Sequence, residues 1–422
     1  MKRKLMSFTQ FNLHVRLHSG IEKAGYTHPT PVQTEAIPLI LDGHDMIGTA
    51  QTGTGKTAAF VLPILHRLIA GTRGKTRAMI ITPTRELAEQ IHEAIRLLGI
   101  HTTVRSATIY GGVASKPQIR ALNSGVEILV VCPGRLLDLH DQGYGDLSGV
   151  ETVVLDEADR MLDMGFFPSV RKILKKLPKK RQTLLFSATF PPEVEQLAAE
   201  TLHDPRRVSL SLRKPIHTVS HALYPVAPQR KTKLLLELLQ QMEANSVLIF
   251  TRTKHRAQKL AQQIGRTGYK VTSLHSDRSQ SQRQSALKGF KDGLYQIMVA
   301  TDIAARGLDV ERISHVINFD MPASPDDYIH RIGRTGRAER AGDAFTLATP
   351  EDAAMVRTLE KIIGNPIPRH QLSNFNYLLE EDESAKNDRT PRSGSFAMKH
   401  GDHFRKNSVP RRQFHSAPKK RQ

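Results

Sequence analysis

Asp156 and Glu157 close an apolar run, Val153-Val154-Leu155, far downstream of the loop Ala50-Gln51-Thr52-Gly53-Thr54-Gly55-Lys56-Thr57. A glycine-rich loop ending in Lys-Thr can turn its backbone N–H groups inward around phosphate oxygens, while the lysine reaches the β/γ-phosphates and the hydroxyl ligates magnesium. Two carboxylates at the end of a buried strand suit the rest of that chemistry, metal holding and water activation. Each half alone has a blander reading. Ala50 stands where the phosphate-loop template has its first glycine, and most Asp-Glu pairs after an apolar run are the solvated mouth of a strand. The two in this order read as a nucleotide hydrolysis site.

Such groups need strands to carry them to one edge of a sheet. Short β-branched runs alternate with helix-like segments from about residue 44 onward, the pattern of parallel strands with crossover helices. Met79–Thr82, Ile128–Val131, Val153–Leu155 and Thr183–Phe186 are each followed at once by a polar or glycine-containing motif. Open α/β sheets bind ligands at that end of their strands. The pattern lapses from Ser211 to Pro228, a proline-interrupted stretch that could pair with a sheet edge or serve as a linker. It restarts with Val247–Phe250, Val271–Leu274, Ile297–Ala300 and Val316–Phe319. Between the first two, Ala257, Leu260, Ala261 and Ile264 recur at helical spacing and give one apolar face. This second half has no phosphate loop, so it would serve the nucleotide only as a lid. The fold class expected is α/β, with two tandem doubly wound parallel-sheet domains. An N-terminal segment covers 1–35, the first domain 36–210, a linker 211–230, the second domain 231–368 and a tail 369–422.

The 422 residues are 39% hydrophobic, enough for about two to three domains, and carry a formal net charge of +20 with a pI near 10.1. That charge calls for a polyanionic partner. No stretch has the apolar length of a membrane span, and Met1-Lys2-Arg3-Lys4 leads into no apolar signal region. A cytoplasmic protein without a membrane partner, bound to nucleic acid, is therefore expected. The single cysteine, Cys132, excludes an intrachain disulfide and a cysteine-cluster metal site, and the nineteen histidines form no zinc pattern and are expected mostly at the surface. From about Glu380 the composition turns to Ser, Pro, Asn, His, Lys and Arg. Residues 385–422 hold eleven basic against two acidic residues, a net +9, and read as a disordered basic tail.

The second half also contains Tyr328-Ile329-His330-Arg331-Ile332-Gly333-Arg334-Thr335-Gly336-Arg337. Arginines in a lid over a triphosphate supply permanently charged, forked donors that lysine cannot. With this stretch the chain resembles a DEAD-box ATP-dependent RNA helicase of superfamily 2, from about Phe8 to the mid-360s. Gly25-Tyr26 through Pro29, Pro31 and Gln33 resembles the Q motif, with Phe8 as its upstream aromatic. Pro83-Thr84-Arg85-Glu86-Leu87-Ala88, Gly111-Gly112 and Pro133-Gly134-Arg135 resemble the RNA-contacting motifs of the first domain, and Ser187-Ala188-Thr189 the coupling motif. His275 through Arg283, Ala300-Thr301-Asp302 and Ala305-Arg306-Gly307-Leu308-Asp309 match motifs of the second. Cys132 and Ser276 depart from the residues usual there. The stretch Ala158–Phe166 and the short start resemble the bacterial RhlE-like branch.

The resemblance implies two RecA-like domains that close over ATP and RNA. It places Lys56 and Thr57 on the phosphates and Mg2+, Asp156 on the metal partly through water, and Glu157 on the attacking water. Tyr26 and Gln33 would bind adenine, Ala50 through Thr57 the phosphates, and Asp309 the ribose. Arg334 and Arg337 would complete the catalytic site. Arg85, Gly112, Arg135 and Thr301 would bind RNA, structured or duplex, with ribosomal RNA precursors as one class of target. Ser187 and Thr189 would couple hydrolysis to strand opening. An ATP-gated RNA clamp with little unwinding is the alternative from another class, and a DNA translocase the alternative enzyme.

Overall fold

The computed structural model describes residues 7–49, 53–209, 219–242, 245–305, 313–335 and 342–377. Two all-parallel sheets organise them. The first contains β1 (Met46–Thr49), β2 (Ala78–Ile81), β3 (Ser106–Ile109), β4 (Ile128–Val131), β5 (Thr152–Leu155), β6 (Gln182–Ser187) and β7 (Arg206–Ser209), in the order β3-β4-β2-β5-β6-β1-β7. The second contains β8 (Val219–Pro225), β9 (Val247–Thr251), β10 (Val271–Leu274), β11 (Ile297–Thr301), β12 (His315–Asn318) and β13 (Gly342–Ala348), in the order β10-β11-β9-β12-β13-β8.

The continuous apolar runs become central strands because both faces of each sheet are covered by helices. In β2, Ala78 and Ile80 pack into one core cluster while Met79 and Ile81 pack into the cluster on the opposite face. The second domain repeats this: Val247 and Ile249 of β9 face one core, Leu248 and Phe250 the other. The helix Lys254–Gly265 buries Ala257, Leu260, Ala261 and Ile264, the face its spacing predicts, and its N-cap Thr253 accepts from the Arg256 N–H.

Two expectations are amended. Part of the stretch expected as linker is β8, an edge strand paired with β13 from Val219↔Gly342 to Pro225↔Ala348. The second domain runs past 368: Leu223 N–H donates to the Pro368 carbonyl, His370 N–H donates to the Leu223 carbonyl, and Leu372, Phe375 and Tyr377 pack on the core beside β8. The helix Pro325–Ile332 carries Arg331, with Arg334 just past its C-terminus, and β13 follows it in the sheet. Residues 378–422, and with them the tail, lie outside the described residues, as do Ala50, Gln51, Thr52, Asp309 and Arg337.

Candidate functional site

Strand order decides which motifs meet. In a parallel sheet every strand delivers the residue after it to the same edge, and neighbours there are neighbours in sheet order, not in sequence. β5, β6 and β1 are adjacent, so the phosphate loop, Asp156-Glu157 and Ser187 converge on one half of the edge. β3, β4 and β2 are adjacent on the other half, which gathers Gly112, Arg135 and Arg85. One edge thus holds two sites side by side.

At the nucleotide end, Gly53 and Gly55 adopt φ of +83° and +90°, the left-handed turn that an L side chain resists. Gly55 caps the helix Lys56–Ile69. Gln33 is 2% exposed. Its Oε1 accepts from the Thr30 N–H at 2.9 Å and its Nε2 donates to the Gly55 carbonyl at 3.1 Å. A Cβ on Gly55 would meet that Nε2 at 2.5 Å. The expected adenine reader is therefore also the strut between its own turn and the phosphate loop. Tyr26 is partly exposed and stacks on Phe8, with centroids 6.1 Å apart and planes at 19°.

Lys56, 6% exposed, places Nζ 3.9 Å from Asp156 Oδ1. Burial pushes the Asp156 carboxyl up, to about 6, against the pull of Lys56. A buried carboxylate with one distant cation is short of positive charge, and so fits a site completed by a divalent metal. No cluster of three or more His, Cys, Asp or Glu capable of holding a metal occurs among the described residues. Mg2+ here would rest on Asp156, the Thr57 hydroxyl, phosphate and water. Glu157 has φ +56° and ψ +56°, and its N–H donates to Asp156 Oδ1 at 3.0 Å.

Asp159 ties this end to the coupling motif. Its Oδ2 accepts from the Thr189 N–H at 3.1 Å and the Thr189 hydroxyl at 3.2 Å. Its own N–H donates to Ser187 Oγ at 3.1 Å, and Ser187 Oγ donates to the Thr189 carbonyl at 2.7 Å. Displacement of the carboxylate run is therefore felt directly at Thr189.

Among the described residues, contacts between the two sheets' domains include two clusters. Arg160 Nη1 lies 3.2 Å from Asp327 Oδ1 on the helix Pro325–Ile332. Together with Asp302, Asp327 and Arg334, 5% exposed, it lines a small cleft around His330. Burial, and then the Arg160 cation, push the His330 imidazole down to about 3. Arg331 is no part of a lid: it is 2% exposed and braces the helix from inside, donating to both oxygens of Asp302 at 2.5 and 2.6 Å and to the Asp320 carbonyl at 2.7 Å. At the second contact, Glu86 Oε1 accepts from Gln280 Nε2 at 3.2 Å and pairs with Arg283 Nη2 at 3.0 Å.

On the expected RNA side, a Cβ on Gly112, at φ +79°, would come within 2.0 Å of Arg85 Nη1, so the guanidinium lies across this glycine. Arg135 Nε is 3.7 Å from Asp138 Oδ2, and Thr301 ends β11. The Cys132 thiol is pushed up to about 12 by burial and lies 4.0 Å from Thr82 Oγ1. His275 is buried rather than superficial, with Nε2 3.1 Å from Gln258 Oε1.

Sequence reasoning missed roles for Asp159, His330, Gln280 and Arg283, although all four lie inside motifs it identified. It had no signal for the Arg160–Asp327 pair, because nothing along the chain says which surface faces which.

Comparison with known proteins shows what this constellation resembles. Residues 30–197 match the DEAD/DEAH box helicase family and residues 230–339 the helicase conserved C-terminal domain. The chain is 44% identical over 368 residues to DEAD-box ATP-dependent RNA helicase 30 of Arabidopsis thaliana, covering 86% of this chain and 62% of that longer one. It is 39% identical over 376 residues to the DEAD-box ATP-dependent RNA helicase CshA of Bacillus subtilis (strain 168), covering 89% and 76%. Among solved structures, S. cerevisiae Dbp5 bound to RNA and ADP BeF3 is similar with a TM-score of 0.78 at 31% identity, covering 86% of this chain and 95% of that one. A DEAD box protein from Methanococcus jannaschii has a TM-score of 0.52 at 36% identity, covering 87% and 99%.

Proposed function

The chain belongs to the DEAD-box ATP-dependent RNA helicases, and we propose that it opens RNA duplexes locally by closing its two domains on ATP and RNA together. The observation that carries this is the strand order of the first sheet. It sets the phosphate loop and carboxylates beside the RNA-facing loops on one edge, with Arg160 reaching the helix next to Arg334. Similarity to the RNA- and ADP BeF3-bound relative, with a TM-score of 0.78 over 86% of this chain, supports reading the two domains as parts of one RNA- and nucleotide-binding unit.

In this reading, Gln33 and Tyr26 hold the adenine, Lys56 neutralises the β/γ-phosphates, and Glu157 takes the proton of the attacking water. Mg2+, when bound by Thr57 and Asp156, supplies positive charge to the phosphates. Arg334 donates to charge that develops in transfer, a contribution made by positioned charge more than by covalent chemistry. Arg337 and Asp309, outside the described residues, retain their proposed roles in that charge and at the ribose, and Ala50, Gln51 and Thr52 theirs in the phosphate loop. Arg85, Gly112, Arg135 and Thr301 form the RNA groove, and Ser187 and Thr189 transmit hydrolysis to it. The RNA we infer is structured or duplex, with ribosomal RNA precursors among its forms. The setting we infer is the cytoplasm: no helix among the described residues is long and apolar enough to cross a membrane.

The test is a parallel measurement of ATP hydrolysis with single-stranded RNA and with DNA of the same sequence, together with displacement of a short RNA duplex. RNA-selective stimulation with displacement is expected. Equal stimulation by DNA would favour a translocase, and stimulation without displacement would favour the clamp.

A further inference from the structure

The opposite edge of the first sheet, where the strands begin, has no part in the site above. The helix Phe167–Lys176 ends there and leads through a turn into β6. Between Phe167 and Gln182 the chain holds seven basic residues and no acidic one. Three have partners: Arg171 with Glu200 at 2.7 Å, Lys176 with Asp141 at 3.0 Å, and Arg181 with the carbonyls of Leu174 and Pro178. The other four, Lys172, Lys175, Lys179 and Lys180, are exposed. Nearby carboxylates are already engaged. Glu151 takes both forks of Arg77 at 2.8 and 2.9 Å, and Asp45 accepts from the N–H groups of Thr183 and His203, each at 2.7 Å.

The plain alternative is that lysines at a helix C-terminus answer the helix dipole. That accounts for Lys175 and Lys176 in the last turn, but not for Lys172 before it or Lys179 and Lys180 beyond it. A membrane-surface helix would turn apolar residues outward. Here Phe167, Val170, Ile173 and Leu174 are all buried against the core, so the surface offers charge alone. Charge from lysine, a point cation without arginine's fork, matches a phosphodiester backbone held without regard to base.

We infer that Lys172, Lys175, Lys179 and Lys180 form a second RNA-phosphate surface, on the edge of the first domain remote from the motor groove. It grips flanking structured RNA in a sequence-independent way. Because all four belong to the first domain, the grip does not depend on closure or on nucleotide.

The experiment uses the full chain carrying Lys172→Gln, Lys175→Gln, Lys179→Gln and Lys180→Gln, without nucleotide. Two probes are compared: a short oligouridylate that fills only the groove, and a long hairpin with a single-stranded overhang. Hairpin affinity should fall about ten-fold or more at low salt, and the slope of log K against log[salt] should shrink by about 3, since each phosphate contact contributes about 0.7 to 0.9. Oligouridylate affinity and saturated ATP hydrolysis should match the parent, which also shows that the variant is folded. An unchanged hairpin affinity and slope would overturn the assignment. So would an equal loss of both probes with slower hydrolysis, which would place the lysines' effect in the motor itself.

Discussion

Glu157 is held at φ +56°, a region that costs a non-glycine residue about 1 kcal/mol or more. The bond from its N–H to Asp156 fixes the side chain's starting direction, and the strain is tolerated where a proton acceptor has to be aimed. Glu157→Gln should keep nucleotide and RNA binding while slowing hydrolysis by about a hundred-fold. Turnover at the parental rate would remove Glu157 from the mechanism. At Gln33 the amide already spends one acceptor direction on Thr30 and one donor on Gly55, leaving one of each for a base edge. Guanine presents the wrong pattern to what is left, so kcat/KM should favour ATP over GTP by a wide margin. Equal values would contradict the adenine assignment. Asp156 and Glu157 drew attention by their order after the phosphate loop, whereas the adenine role of Gln33 is what the family resemblance implies. The second duty of Gln33 was not legible in the sequence, since it depends on the approach of a turn 22 residues away.

At the scale of elements, strands that form apolar or β-branched runs could be read, including β10 at the edge of the second sheet. Ile128–Val131 and Val153–Leu155 are apolar on both faces because both are covered. β7, Arg206–Ser209, buries only Val208, and β8, with consecutive buried residues Ala222, Leu223 and Tyr224, lies in the stretch read as an edge partner or a linker. The sequence could not foretell that the helix Pro325–Ile332 meets Arg160. Asp327→Asn should weaken domain closure, seen as a higher RNA concentration for half-maximal ATPase stimulation, with little change in nucleotide affinity without RNA. An unaltered RNA requirement would show that the pair does not hold the domains together. The same interface should respond to pH. His330, at about 3 in contact with the first domain against an ordinary 6.5, stays neutral there and ionises more easily once released. Contact with the first domain favours the neutral imidazole, so the closed arrangement weakens as pH falls into the range where the released His330 takes up a proton. RNA affinity with a non-hydrolysable ATP analogue is the proper readout, because the raised Asp156 carboxyl would confuse turnover. A flat profile between pH 5 and 7 would refute the linkage.

For the molecule as a whole, ATP and RNA that both favour closure, as proposed, must each strengthen the other's binding by the same factor. The net +9 of residues 385–422 predicts a tether that holds RNA near the motor. Deleting residues 385–422, with their net +9, should leave ATP hydrolysis at saturating RNA nearly intact. It should raise the RNA needed for half-stimulation and flatten the salt dependence of binding. Identical affinity and salt slope would end the tether reading.

The pairing of Leu223 with Arg369 bears on how such a protein can be inherited and altered. The second domain receives its chain at β8 and gives it up beside the same strand, with Leu372, Phe375 and Tyr377 closing the rim. Every described strand of both sheets lies before Tyr377, so residues rewritten after it leave these strands intact. Selection can therefore rewrite that stretch without renegotiating how the two sheets fold.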